Sequence, residues 1–344
     1  MSMPVYACAR RNASALTMVA IGSAFLALAG CGGGGSGDSK SQTGMLKIGV
    51  TDSPVDAADA VVVQFTGVEL KPVNGQAFSR DFSSPKTIDL LTLQGTNRAM
   101  LLDGESVPAG DYEWMRLKVN ADPNVVDSYI TVGGAQCEMR IPSGDETGLK
   151  MIRGFTVGVG TTTDFTIDFN LRQSIVRPPG QQAMTESCGG QAYMLKPVLR
   201  VVDNLQVGTL TGTVDPTLVS TQCTDASTVA QVAPGNVYLF GPYATGTTPP
   251  VPDDVDANDA DGLDPLASAM VKVDGSGNNR YTIGFVPAGN YVLAYTCSPD
   301  QPDVDADAAD TPTGADEVVT FTPATGVPDV VVTANQTTTQ NFGP

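Results

Sequence analysis

The residues able to do chemistry in this 344-residue chain are carboxylates and cysteines, because histidine is absent. Without imidazole there is no Ser-His-Asp or Cys-His nucleophile, no histidine metal ligand and no ordinary general base near neutral pH. Two carboxylates acting together remain conceivable, as in glycoside hydrolysis. Asp89, Asp103, Asp111, Glu113, Asp164 and Asp168 are available for it. Their positions in turns and alternating segments read instead as turn residues and solvated strand faces. No glycine-rich loop precedes a helix, so nucleotide chemistry has no support. We expect no enzymatic activity.

Two clusters of acids invite a binding role. In Thr51-Asp52-Ser53-Pro54, followed by Asp56 and Asp59, either Asp52 or Ser53 could cap a short helix over residues 54–60. Read functionally, Asp52, Ser53 and Asp56 would hold a cation or a ligand hydroxyl. The second cluster is the loop 253–264, with Asp253, Asp254, Asp256, Asp259 and Asp261, and it is echoed by Asp303, Asp305, Asp307 and Asp310. Alternating carboxylates suit calcium, which takes about six to eight oxygens. Neither stretch is an EF-hand: counting from Asp254 the sixth residue is Asp259, and counting from Asp303 it is Ala308, where that loop needs glycine. A solvated acidic loop is the ordinary reading of both. Calcium is the one cofactor the sequence leaves open.

The elements that must position these groups begin with an N-terminal leader. Arg10 and Arg11 precede an uncharged apolar stretch over residues 13–28. That pattern is a secretory signal, and the stretch is short for a membrane span of ~20 apolar residues. It closes in Leu28-Ala29-Gly30-Cys31, which resembles the lipobox of bacterial lipoproteins. The resemblance implies cleavage after residue 30 and acylation of Cys31. Two or more acyl chains anchor a protein stably where one does not. Gly32 stands where many inner-membrane lipoproteins carry aspartate, so the outer membrane is the expected destination. Residues 31–44 then form a Gly/Ser-rich tether.

Formal net charge is −18, and removing Arg10 and Arg11 with the leader (residues 1–30, without acids) brings it to −20 (−18 minus 2). Such a chain has little attraction for nucleic acid. Beyond Cys8, which leaves with the leader, and Cys31, four cysteines remain: Cys137, Cys188, Cys223 and Cys297. An even number in an exported protein reads as disulfides. A boundary near residue 205 separates them two and two, so we expect Cys137–Cys188 and Cys223–Cys297. Each bridge is worth about 4 kcal/mol in the chain-entropy account. A four-thiolate zinc site would need CxxC-like spacing, and there is none.

Alternation with period two dominates the rest. It runs through Leu46-Lys47-Ile48-Gly49-Val50, Trp114-Met115-Arg116-Leu117-Lys118-Val119 and Phe165-Thr166-Ile167-Asp168-Phe169. Trp114 is expected in the core. A strand over residues 193–202 carries Pro197, which puts it at an edge or bulge. Helices are expected only at 55–60 and 171–176. Further strands are expected at 210–214, 236–240, 269–273, 281–285, 291–297, 317–321 and 329–333, with a last one within 336–342. Many short strands between Gly, Pro, Asp and Asn clusters argue for an all-β chain of two β-sandwich domains, 45–204 and 207–344. Val107-Pro108-Ala109-Gly110-Asp111-Tyr112 recurs as Val286-Pro287-Ala288-Gly289-Asn290-Tyr291, which reads as one hairpin device used twice.

Four pieces of the first domain carry a family resemblance. They are Gly49-Val50-Thr51-Asp52-Ser53-Pro54-Val55-Asp56-Ala57-Ala58-Asp59, the strand over 61–71, Pro108-Ala109-Gly110-Asp111-Tyr112, and Tyr193-Met194-Leu195-Lys196-Pro197-Val198-Leu199-Arg200-Val201. From about residue 44 to 204 the chain resembles domain of unknown function 4382. That family implies a lipoprotein and leaves its activity open. The second domain resembles the carboxypeptidase-regulatory-like, prealbumin-type sandwich through Gly212-Thr213-Val214 and the segment from Tyr281 to Tyr291. This resemblance implies a non-catalytic module, and the insertion between Tyr238 and Ala269 departs from the compact pattern.

The expected protein is a lipid-anchored component of the cell envelope with a structural or protein-interaction role. The rival is a carbohydrate-binding or adhesion module, stabilised by calcium if the acidic loops bind it. Partners are then the membrane, through the lipid, and an envelope protein or glycan.

Overall fold

The computed structural model describes residues 42–53, 58–121, 125–141, 148–176, 193–223, 234–253, 264–297 and 319–343. The leader, Cys31 and nearly all of the tether lie outside them.

Among the described residues the first half supplies β1 (Thr43–Ser53), β2 (Ala60–Pro72), β3 (Phe78–Asp89), β4 (Ala99–Pro108), β5 (Gly110–Asn120), β6 (Tyr129–Val132), β7 (Ala135–Arg140), β8 (Leu149–Met151), β9 (Phe155–Val157), β10 (Thr162–Asn170), β11 (Ile175–Val176), β12 (Tyr193–Leu195) and β13 (Leu199–Asp203). One sheet runs β13-β10-β1-β4, with β1 parallel to β10. The other runs β11-β12-β7-β6-β2-β5-β8, with β3 added on β2 and β9 on β5. Alternation explains how they meet. Leu46, Ile48 and Val50 of β1 are buried, as are Phe65, Val68 and Leu70 of β2. The two sheets close on one core, where the rings of Phe65 and Phe169 sit edge to face at 6.2 Å.

The second half supplies β14 (Val207–Val214), β15 (Asn236–Tyr243), β16 (Ala267–Met270), β17 (Lys272–Val273), β18 (Asn279–Pro287), β19 (Gly289–Thr296), β20 (Thr322–Val332) and β21 (Thr337–Thr339). The sheets are β17-β18-β14-β21 and β16-β15-β19-β20. Leu210 and Ile283 from one and Leu239 and Leu293 from the other share a separate core. The chain is thus all-β in sandwich-like sheet pairs. Residues 204–206 connect the pairs, and Ser41–Pro344 forms one compact unit.

Several expectations need correction. The helix at 171–176 is a single turn, Leu171–Ser174, capped by the Asn170 side chain, and Ile175 and Val176 already pair as strand. In place of a helix reaching residue 60, β2 begins at Ala60. The strand over 193–202 breaks into β12 and β13, with Pro197 in the gap. The stretch at 269–273 divides in the same way between β16 and β17, and residues 319–321 are not strand. Trp114 is not a core residue: Met115, Leu117 and Val119 are buried, while Trp114 lies on the outer face under the Arg116 guanidinium and the Lys150 ammonium, 5.1 and 4.4 Å from its ring centre.

The repeated Val-Pro-Ala-Gly motif is also not a hairpin. β4 and β5 belong to different sheets of the first pair, and β18 and β19 to different sheets of the second. In both places the motif carries the chain across from one sheet to the facing one. The buried tyrosine that follows ties the corner. Tyr112 Oη donates to the Pro108 carbonyl at 2.7 Å, and Tyr291 Oη to the Pro287 carbonyl at 2.8 Å. Burial pushes the Tyr291 phenol up to about 12, so it stays a donor at any ordinary pH.

Candidate functional site

The acids that might have paired for catalysis are each held by a neighbour. Asp89 accepts from the Val61 and Leu91 amides and caps a 3-10 turn. Asp103 pairs with Lys47 at 2.8 Å, Glu113 with Lys71 at 3.8 Å, and Asp111 accepts from the Thr156 hydroxyl at 2.6 Å. Asp164 takes both ends of the Arg98 guanidinium, at 2.7 and 2.9 Å, and Asp168 pairs with Arg200.

Asp52 differs. It keeps the inward parity of Leu46, Ile48 and Val50 but stands at the end of β1, where the first sheet pair meets the second. It is 6% exposed, and neither carboxylate oxygen has a hydrogen-bond partner among the described residues. Burial raises its pKa well above the ordinary carboxylate range. The charges of Asp168 and Asp89 add to this, and Arg172 opposes it. Asp52 and Asp168 line a cavity of about 10 Å³ with Ser268 and Thr282 from the second half, roughly the space of one water molecule.

The surrounding contacts cross the same seam. Arg172, 2% exposed, donates through Nε to Ser268 Oγ at 3.2 Å and lies 5.0 Å from the centre of the Tyr238 ring. Thr51 Oγ1 lies 2.8 Å from both the Leu93 and Asn97 carbonyls and holds the 93–98 loop to β1. That loop packs on Gly284, where a Cβ would come within 2.2 Å of the Gly95 carbonyl oxygen. Only glycine fits this approach.

Beside the loop lies an open groove of about 410 Å³, bounded by Thr96, Arg98 and Asn204 from the first half and by Thr209, Phe285 and Gln336 among residues of the second. The register of β14 on β18 slips between Gly208 and Leu210, so Gly284 and Phe285 bulge outward. Phe285 is held there at φ 54°, a conformation costing a non-glycine residue about 1–3 kcal/mol. Arg98 reaches its position by passing over Gly49, whose missing side chain leaves the room. Asn204 Nδ2 donates to the same Asp164 at 2.9 Å, and Asn204 Oδ1 accepts from Thr166 at 2.8 Å.

The structure places the expected site residues unevenly. Asp52 lies in the seam. Ser53 ends β1, with its side chain outside the described residues, as is Asp56. Asp253 is described and half-buried, while Asp254, Asp256, Asp259 and Asp261 lie outside the described residues. Among the described residues no three His, Cys, Asp or Glu side chains gather as metal ligands. Cys223 and Cys297 form a disulfide, and Tyr295 Oη packs 2.9 and 3.0 Å from its two sulfurs while donating to the Pro234 carbonyl. Cys137 is disulfide-bonded, and Cys188 lies outside the described residues. Sequence reasoning missed Arg172, Phe285 and Gln336. Nothing local marks them, since each matters only where two distant segments meet.

Residues 43–197 match the family model described as Domain of unknown function (DUF4382). A search of the curated proteins returned no match. Among solved structures, a leucine-rich repeat protein from Bacteroides thetaiotaomicron aligns at 13% identity and a TM-score of 0.20, over 88% of this chain and 26% of that one. The chain therefore spans about a quarter of that protein. The minor pilin of Streptococcus agalactiae aligns at 11% identity and a TM-score of 0.16, over 86% of this chain and 94% of that one. The major pilin subunit of Bacillus cereus aligns at 10% identity and a TM-score of 0.18, over 88% and 99%.

Proposed function

We propose that this protein is a lipid-anchored component of the cell envelope that acts by display and interaction and not by catalysis. The observation that carries the reading is that the six acids expected to be available for paired catalysis, Asp89, Asp103, Asp111, Glu113, Asp164 and Asp168, are each bound to a structural partner. The Cys223–Cys297 disulfide fits an oxidising compartment outside the cytosol. The first strand opens at Thr43, twelve residues beyond Cys31 (43 minus 31), so a tether of that length would separate the fold from the acylated cysteine.

The test is cross-linking of the full chain in its own membranes, followed by mass spectrometry of the N-terminal peptide and of captured proteins. Acylated Cys31 with a stoichiometric protein partner supports the reading. An unmodified Cys31 refutes the anchor. An acylated protein recovered alone refutes the protein-interaction role and turns attention to a glycan.

A further inference from the structure

We propose that the groove beside the seam is a binding site for a neutral oligosaccharide. This goes beyond the display role and does not depend on the lipid anchor. Its size comes first. At about 410 Å³ the groove lies within the roughly 300–1,000 Å³ of small-ligand sites.

Its chemistry comes second. Thr96, Thr209, Gln336 and Thr337 face it, and among the described residues none of their side chains makes a hydrogen bond to the protein. A hydroxyl or a carboxamide both donates and accepts, which is what the adjacent hydroxyls of a sugar ring require. Phe285 adds a partly exposed aromatic ring at the edge, and the C–H face of a pyranose packs against such a ring. The bulge presents that ring at a positive φ that a purely structural position would give to glycine.

Charge selects among sugars. Among the described residues Arg98 is the only ionisable one lining the groove, and its charge is paired with Asp164 through both terminal nitrogens. An acidic glycan finds no unpaired cation among the described lining residues and meets a mature chain of net charge −20 (−18 minus 2). A cationic ligand finds no carboxylate among the described lining residues. The uncharged hexose oligosaccharide is the class that remains.

The experiment applies the full lipoprotein, in detergent, to an array of neutral glucan, mannan, galactan and N-acetylhexosamine oligomers, with uronic-acid and sulfated oligomers as controls. The best-bound neutral oligomer is then titrated by calorimetry against wild type, the Gln336→Ala/Thr337→Ala double variant and Phe285→Gly. Glycine accepts a φ of 54° without strain, so the last variant removes the ring while sparing the fold. We expect neutral oligomers to bind, and both variants to lose at least tenfold in affinity while melting no lower than wild type. Absence of neutral binding, binding confined to acidic oligomers, or variants that bind as wild type does would overturn the proposal. So would capture of an uncharged peptide that occupies the groove in place of sugar.

Discussion

Replacing Asp52 with asparagine should stabilise the protein at neutral and alkaline pH and do little near pH 4. The carboxylate is buried without a hydrogen-bond partner among the described residues, and its acid form is favoured by burial, by Asp168 and by Asp89 against the pull of Arg172. The folded state therefore holds this proton more tightly than the unfolded chain does. Its contribution is whole below the unfolded carboxyl range and drains away as pH rises towards the folded titration point, by about 1.4 kcal/mol for each pH unit crossed. Asparagine keeps the volume and cannot ionise, so it escapes this loss. An unsatisfied buried carboxylate costs more than the roughly 1–3 kcal/mol of an unsatisfied neutral group, a cost asparagine shares, so only the excess owed to the charge separates the two. The expected gain at pH 8 is that excess, about 1–3 kcal/mol. For a unit of this size roughly 2 °C accompanies each kcal/mol, giving a rise of about 2–6 °C. Thermal melts of wild type and Asp52→Asn at intervals from pH 4 to pH 8 would show two curves that diverge upward. Parallel curves, or a variant weaker than wild type at pH 8, would refute the reasoning and mean that Asp52 is satisfied as a carboxylate.

The two corner tyrosines should behave alike. Tyr112→Phe and Tyr291→Phe each leave a proline carbonyl without its donor and should each cost about 1 kcal/mol in urea unfolding. A loss in one half with none in the other would show that the motif is not one device. The Cys223–Cys297 bridge has a sequence separation of 74, and in the chain-entropy account it stabilises by about 4.5 kcal/mol. Replacing both cysteines by serine should lower the melting temperature by several degrees, whereas a reductant-insensitive melt of the wild type would contradict it. Cys31→Ala should release the protein from the membrane fraction into the soluble one. Retention would require another anchor.

What could be read from the chain divides along a physical line. Period-two alternation is local, so many of the strands could be read from it; β1 follows it over residues 45–48, whereas in β10 every residue from 165 to 169 is buried, Thr166 and Asp168 included. Trp114 obeys the same rule against the expectation of a core residue. Residues two apart share a face, so its alternation with Arg116 and Lys118 placed it outside, beside its cations, while Met115 and Leu117 turned inward. The Val-Pro-Ala-Gly corner was visible as a motif, but a turn within a sheet and a step between sheets share the same local chemistry. Only the partners chosen by β4, β5, β18 and β19 distinguish them.

The seam lay beyond local reading for a stronger reason. Asp52 looks like a helix cap beside Pro54, and Arg172 like a surface residue of a short helix. Each takes its character from a segment far along the chain: Ser268 lies 96 residues from Arg172. The contact between the two sheet pairs includes directional groups beside the buried Tyr238 ring. Guanidinium to hydroxyl and glycine against carbonyl fix the pairs at one angle. Such a junction fixes geometry more than it adds stability. A fixed angle is what the groove needs, because Thr96 on one side and Gln336 on the other can address a single ligand only while the two pairs hold still. On this reasoning Asp52→Asn, which relieves the seam without loosening it, should leave oligosaccharide affinity unchanged, and Arg172→Ala, which removes its directional contact, should weaken it.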